Sequence, residues 1–200
     1  MNLKKSLAAI TTFDRILWAA ALAVVLVSGI IGRGSAVAVT APLIGVTALV
    51  FLAKGDVLGQ LLTVIFAIFY AVVSYTPRYY GEMITYVGMT TPMAAMAVIS
   101  WLRHPFKDGE PQVRVARLTP LMRALIVPLT VAVTAAFYFI LRALGNASLA
   151  VSTVSVATSF LASYLTFCRS SYYALAYAAN DIVLITLWII ASRDDISYLS

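Results

Sequence analysis

The chain has 200 residues, of which 62% are hydrophobic and 11% charged, with a formal net charge of +6. A soluble domain is about 45–50% apolar and about 25% charged, so this composition, with a mean hydropathy of +0.95, excludes one and predicts a single integral membrane domain over residues 1–200. The basic residues sit singly at helix ends and in one loop, which excludes a phosphate-binding patch and a nucleic-acid partner. A lone cysteine, Cys168, excludes an intrachain disulfide framework and a Cys-based metal site.

Met1 to Arg15 is polar, with Lys4, Lys5 and Arg15, and the apolar run 16–31 predicts a first membrane helix. A basic start before an apolar run also describes a signal peptide, but this run is long and has no small-x-small cleavage site, so it is read as retained. Gly32-Arg33-Gly34-Ser35 makes a turn into a second helix over 36–53, which contains Pro42. The charged turn Lys54-Gly55-Asp56 leads to a third over 57–75, where Gln60, Thr63, Ala67, Tyr70 and Ser74 share one face. The aromatic turn from Thr76 to Glu82 precedes a fourth helix over 83–102, with Glu82, Tyr86, Thr90, Met93 and Trp101 on a mixed face. Pro92 predicts a kink there, and Thr90 and Thr91 are placed to bond the carbonyls it frees.

The longest loop runs from Arg103 to Arg123; its His104, before Pro105, reads as a solvated or headgroup residue. A fifth helix over 122–144 contains Pro128 and has few deep polar residues. A sixth over 149–167 carries Ser152, Ser155, Ser159, Ser163 and Thr166 on one face, a pattern that predicts close helix packing. The seventh, over 172–190, places Tyr173, Tyr177, Asn180, Asp181, Leu184 and Trp188 on one side. A carboxylate at membrane depth costs roughly 2.5–3.5 kcal/mol on insertion scales, so Asp181 should face protein or a water-filled cavity. Aromatic rings beside an Asn-Asp pair suit a flat, polar, cationic solute; interhelical hydrogen-bond glue is the plainer reading.

Counting Lys and Arg by side gives ten with the N-terminus and the long loop (Lys4, Lys5, Arg15, Lys54, Arg103, Lys107, Arg114, Arg117, Arg123, Arg169) and four opposite (Arg33, Arg78, Arg142, Arg193). The N-terminus is therefore expected on the cytoplasmic side of a multi-pass protein. The second and third helices resemble the sixth and seventh: a Ser/Thr/Gly-containing helix, a short basic turn, then an aromatic-rich helix. Helices two and six are four crossings apart, so the copies are parallel, an arrangement that puts a substrate between the halves. The first copy continues into the fourth helix, whereas the second stops at Ser200. An eighth helix is expected there, and little uptake is expected of the 200-residue chain alone.

The segments Arg78-Tyr79-Tyr80-Gly81-Glu82-Met83-Ile84-Thr85-Tyr86 and Ala176-Tyr177-Ala178-Ala179-Asn180-Asp181-Ile182-Val183-Leu184, with Trp101 and the Trp188 region, resemble the PnuC family of bacterial vitamin transporters. The resemblance covers the second to the seventh helix. It implies an all-α, SWEET-like fold of parallel three-helix bundles: residues 36–102, then a cytoplasmic loop and linker helix over 103–144, then an incomplete bundle over 148–200, with 16–31 as an additional N-terminal helix. The chain departs from the sugar-transporting SWEETs in having Pro42 without a matching proline in the sixth helix. The resemblance also implies facilitated diffusion of nicotinamide riboside across the bacterial plasma (inner) membrane, trapping of the substrate by a cytoplasmic kinase, and a homotrimer. Relatives carry thiamine, riboflavin or deoxynucleosides, and a non-transporting, truncated membrane subunit is a further alternative.

With that substrate in view, Trp188 and Tyr70 are expected to stack on the heterocycle, a cation–π contact worth roughly 0.5–2 kcal/mol. Asn180 and Gln60 would bond its polar groups, Tyr86 and Tyr177 would line the site, and Asp181 would set the local charge. No cofactor is expected. Neither H-E-x-x-H, G-x-S-x-G nor G-x-x-x-x-G-K-[ST] occurs, so an enzyme or an ATP-driven pump has no motif to stand on.

Overall fold

The computed structural model describes residues 3–32, 35–75, 80–107, 109–146 and 148–194; side chains at 73–75, 80–82, 187, 188 and 190–194 fall outside that description, Trp188 and Glu82 among them. Within these bounds the chain is helical: α1 (Leu3–Ala8), α2 (Thr12–Ile31), α3 (Ala36–Ala53), α4 (Val57–Tyr75), α5 (Tyr80–Thr85), a π-helical turn (Tyr86–Thr90), α6 (Thr91–Leu102), α7 (Pro120–Ala143), α8 (Leu149–Phe167) and α9 (Tyr173–Asp194). Among the described residues, five stretches are long and apolar enough to cross a bilayer: α2, α3, Met83–Leu102, α7 and α8. The apolar parts of α4 and α9, Val57–Val72 and Tyr173–Thr186, are shorter. With these two included, the described chain makes the seven rods that hydropathy predicts.

Lipid-side chemistry accounts for the exteriors. No residue of α2 is buried, and Phe13, Ile16, Val24 and Ile30 all stand exposed. In water such a surface would be costly; against acyl chains it needs no partner, because each helix satisfies its own backbone. α3 packs on α4 and α4 on α6; α7 packs on α8 and α8 on α9; α6 meets α8 and joins the two groups. The α3–α4 crossing is tight because residue 59 lacks a side chain: a Cβ on Gly59 would lie 2.5 Å from Leu52 N and 2.9 Å from Ala48 O.

Three local features depart from the sequence expectation. Helix α2 begins at Thr12 rather than Ile16, behind a reciprocal cap in which Asp14 N donates to Thr11 Oγ1 (3.3 Å) and Thr11 N to Asp14 Oδ2 (2.7 Å). The short α1 before it was not expected. The fourth predicted helix is interrupted rather than simply kinked. Pro92 lacks an N–H and its ring crowds the turn before it. The chain widens there into the π turn, and the Thr91 hydroxyl donates to Tyr86 O at 2.8 Å.

The third departure is the long loop. Residues 103–107 and 109–119 form a strap across one end of the bundle, hereafter the loop side. Val113 N donates to Gly55 O (2.8 Å) and Val57 N to Pro111 O (3.2 Å), which stitches the strap to the α3–α4 turn. Ala116 N donates to Arg169 O (3.0 Å), which stitches it to the α8–α9 turn. Isolated antiparallel bridges pair Asp56 with Gln112 and Pro105 with Val113. Below the strap, Leu52, Val57, Trp101 and Val113 form a buried cluster.

Candidate functional site

The polar residues of four helices converge just inside the strap. A chamber of about 10 Å³ is lined by Gln60 and Thr63 of α4, Thr90 of the π turn, Met93, Ala94 and Ala97 of α6, Ser163 and Thr166 of α8, and Tyr177 of α9. That space holds about one water molecule.

Gln60 lies one turn inside α4 and is 2% exposed. Its Nε2 has no hydrogen-bond partner within the described chain. A buried amide N–H left unpaired is costly, about 1–3 kcal/mol, which marks this atom as one that awaits a partner. Tyr177 lies one turn inside α9, level with Gln60, and its hydroxyl interacts with Ser163 and Thr166. Asn180 is 6% exposed; its Oδ1 accepts from Thr158 Oγ1 (2.7 Å) and Ser159 Oγ (2.8 Å), which fixes α9 to α8. These bonds are of the interhelical kind that the plainer sequence reading allows. Asp181, one residue on, is exposed.

About 15 Å further along α4 the lining turns aromatic. Tyr70 and Tyr86 stand 4.4 Å apart between ring centroids, and Phe66 is 5.6 Å from Tyr70 and 5.7 Å from Tyr86. The structure thus groups Gln60 with Tyr177, and Tyr70 with Tyr86, at two levels along α4. Trp188, expected at the second level, has its side chain outside the described residues.

On the loop side, the two groups of helices are tied by side-chain bonds to main-chain carbonyls. Trp101 is fully buried and its Nε1 donates to Thr166 O at 2.9 Å; Ser100 Oγ donates to Phe167 O at 3.0 Å. Tyr173 OH donates to Leu52 O at 2.8 Å, which joins α9 to α3. Asp56 caps α4 through Leu58 N (2.8 Å), is fully buried, and leaves Oδ2 without a partner in the described chain.

Several of these residues were read differently from sequence. Ser159 bonds Asn180 across the α8–α9 contact, in keeping with the packing reading, while Ser163 and Thr166 also line the chamber. Phe66 was overlooked, although its i,i+4 spacing to Tyr70 was a usable signal. A larger groove of about 460 Å³ between α7 and α8 is lined by Thr130, Val131, Tyr138, Phe139 and their neighbours on the outer face, away from the converging polar groups.

The sequence model described as "Nicotinamide mononucleotide transporter" matches residues 35–198. The chain belongs to this transporter family. The matched span holds the chamber, the aromatic level and the strap, and leaves α1 and α2 outside. Among characterised relatives, the nicotinamide riboside transporter PnuC of Neisseria mucosa is 29% identical over 151 residues, 74% of this chain and 57% of that protein. The match therefore spans a little over half the length of that relative. A crystal structure of the vitamin B3 transporter PnuC superposes with a TM-score of 0.80 at 25% identity, covering 98% of this chain and 89% of that one.

Proposed function

We propose that the chain is a carrier for nicotinamide riboside, taking it down its gradient through the path between α4 and α9. The observation that carries this reading is the buried, unpaired Nε2 of Gln60 at a hydroxyl-lined chamber between the two groups of helices. Names among the relatives point to a mononucleotide and to a riboside, and chamber chemistry favours the riboside. A phosphate calls for Arg or Lys donors; the chamber lining offers Gln, Thr, Ser and Tyr. These suit ribose hydroxyls and a carboxamide.

In this reading Gln60, Tyr177 and Asn180 bond the polar groups, Tyr70 and Tyr86 pack against the ring together with Trp188, and Asp181 offsets the ring's charge. The excess of Lys and Arg on the loop side supports a bacterial inner-membrane protein with its N-terminus and strap in the cytoplasm. A homotrimer and a trapping kinase belong to the same proposal. They rest on family resemblance.

The test is uptake of labelled nicotinamide riboside by liposomes that contain the purified chain. Uptake that stops at equal concentrations, ignores the mononucleotide and fails in Gln60→Ala supports the proposal. Equal handling of both solutes, or uptake untouched by Gln60→Ala, overturns it. Asp181→Asn separates charge from shape: it should weaken binding of the cationic riboside more than that of a neutral nucleoside, in calorimetric titrations of both.

A further inference from the structure

The N-terminal residues contribute nothing to the chamber and lie outside the family match, yet they are fixed to the strap that closes it. Lys5 Nζ donates to Gly109 O at 3.0 Å and to Glu110 Oε1 at 2.9 Å. Gly109 has φ +76°, a conformation that suits glycine, and the turn it allows presents this carbonyl to Lys5. Ser6 and Ile10 are 1% and 4% exposed, so one side of this segment is covered. At the start of α2, Asp14 pairs with Lys54 at 2.6 Å, next to the turn that the strap is stitched to. Residues 3–14 thus hold both the tip of the strap and its anchoring turn.

We propose that residues 3–14 are an electrostatic latch that sets how readily the loop-side cover opens. Its two ties are ion pairs. The side chains of Lys5 and Glu110 are 43% and 35% exposed, those of Lys54 and Asp14 26% and 18%. Water and salt reach the outer pair and weaken it. A six-residue helix such as α1 has no stability of its own, so its docking depends on these ties and on a small buried patch. The bonds beneath the strap are of another kind: Trp101 to Thr166 and Tyr173 to Leu52 are buried or half-buried and unaffected by salt. Release of the latch therefore precedes opening and leaves the bundle folded. The strap residues it frees include Val113, which packs with Trp101, and lie next to Asp56, each of the three below 10% exposure.

Cys168 supplies a readout that needs no substrate. It is 1% exposed and packs in a cluster with Leu118, at the end of the strap that bonds the α8–α9 turn. The experiment measures alkylation of Cys168 by a permeant maleimide in the full chain, at fixed pH and low salt. Glu110→Gln should raise the rate about two- to five-fold, the factor a partly exposed ion pair is worth. Lys5→Glu should raise it at least as much, and Lys5→Glu with Glu110→Lys should bring it back toward wild type. Lys4→Glu makes the same charge change at an exposed position with no bond to a described residue, and should do nothing. High salt should accelerate wild type and leave Glu110→Gln less affected. Melting temperatures within a degree or so of wild type would show that local opening, not unfolding, is being read. Unchanged rates in both single variants, or a charge-swapped pair as fast as the singles, would overturn the latch. Because alkylation reads the fold alone, the latch and the carrier reading fail separately.

Discussion

The indole N–H of Trp101 on α6 is bonded to the main-chain carbonyl of Thr166 on α8, with both residues fully buried. This contact joins the two groups of helices at the loop side of the chamber. Its length is 2.9 Å, an ordinary N–H···O distance. Trp101→Phe keeps an aromatic ring and removes the donor. Thr166 O keeps the bond from Arg169 N at 2.9 Å, so the loss is that of one hydrogen bond, about 0.5–1.5 kcal/mol. Thermal unfolding in detergent should show it, and Cys168 should react faster. A variant as stable as wild type would mean that the indole bond adds nothing to the bond from Arg169 N.

Gly59 tests the close approach of α3 and α4. An alanine there meets backbone atoms, Leu52 N and Ala48 O, which cannot swing aside as a side chain can. The helices must separate, at a cost of about 1–3 kcal/mol for overpacking. Gln60 is the next residue, so ligand affinity should fall with stability. Gly88→Ala is the control, since a Cβ there meets Phe137 Cζ at an ordinary 3.7 Å.

Asn180 separates its two partners. Thr158 Oγ1 also reaches Val154 O and Ser155 O, each at 3.1 Å, so it keeps acceptors when Asn180 is removed. Ser159 has Asn180 as its recorded acceptor. Thr158→Val should therefore cost less than Ser159→Ala, and Asn180→Ala about 0.6–1.7 kcal/mol, the range for hydrogen bonds between membrane helices. Unfolding measurements on the three variants check the order.

Burial raises the pKa of the Cys168 thiol above its ordinary 9.0, with Tyr164 and Arg169 opposing the shift. The sign follows from proton binding. Below the ordinary value both folded and unfolded chains hold the proton, so the thiol leaves stability independent of pH. Above it the unfolded chain releases the proton first, and stability falls as pH rises through the folded value. A pH series of melting temperatures on wild type and Cys168→Ala should diverge only on the alkaline side.

Much of the fold was legible because a bilayer imposes a simple rule: twenty or so apolar residues per crossing, with polar punctuation between. Helices α3, α4 and α8 begin and end where hydropathy puts them. Gln60, Tyr70, Tyr86 and Tyr177 were findable as polar or aromatic residues on helical stripes. The strap was not, because it is held by main-chain bonds such as Val113 to Gly55, which are indifferent to side-chain identity. Nor was the division within α9. Asn180 and Asp181 differ by one step of about 100°, and only packing against α8 decides which of the two turns inward.

The chamber walls meet one another: Tyr177 interacts with Ser163 and Thr166 beside a space of about 10 Å³. For a carrier of the proposed kind this has a kinetic meaning. A site that can shut only around its cargo returns loaded or not at all, so inward movement of one molecule must be matched by outward movement of another. Walls that satisfy one another, with Tyr177 held by Ser163 and Thr166, would let such a carrier make the return half of its cycle empty. Net uptake then needs no exchange partner, and unlabelled substrate placed on the far side should do little to speed it.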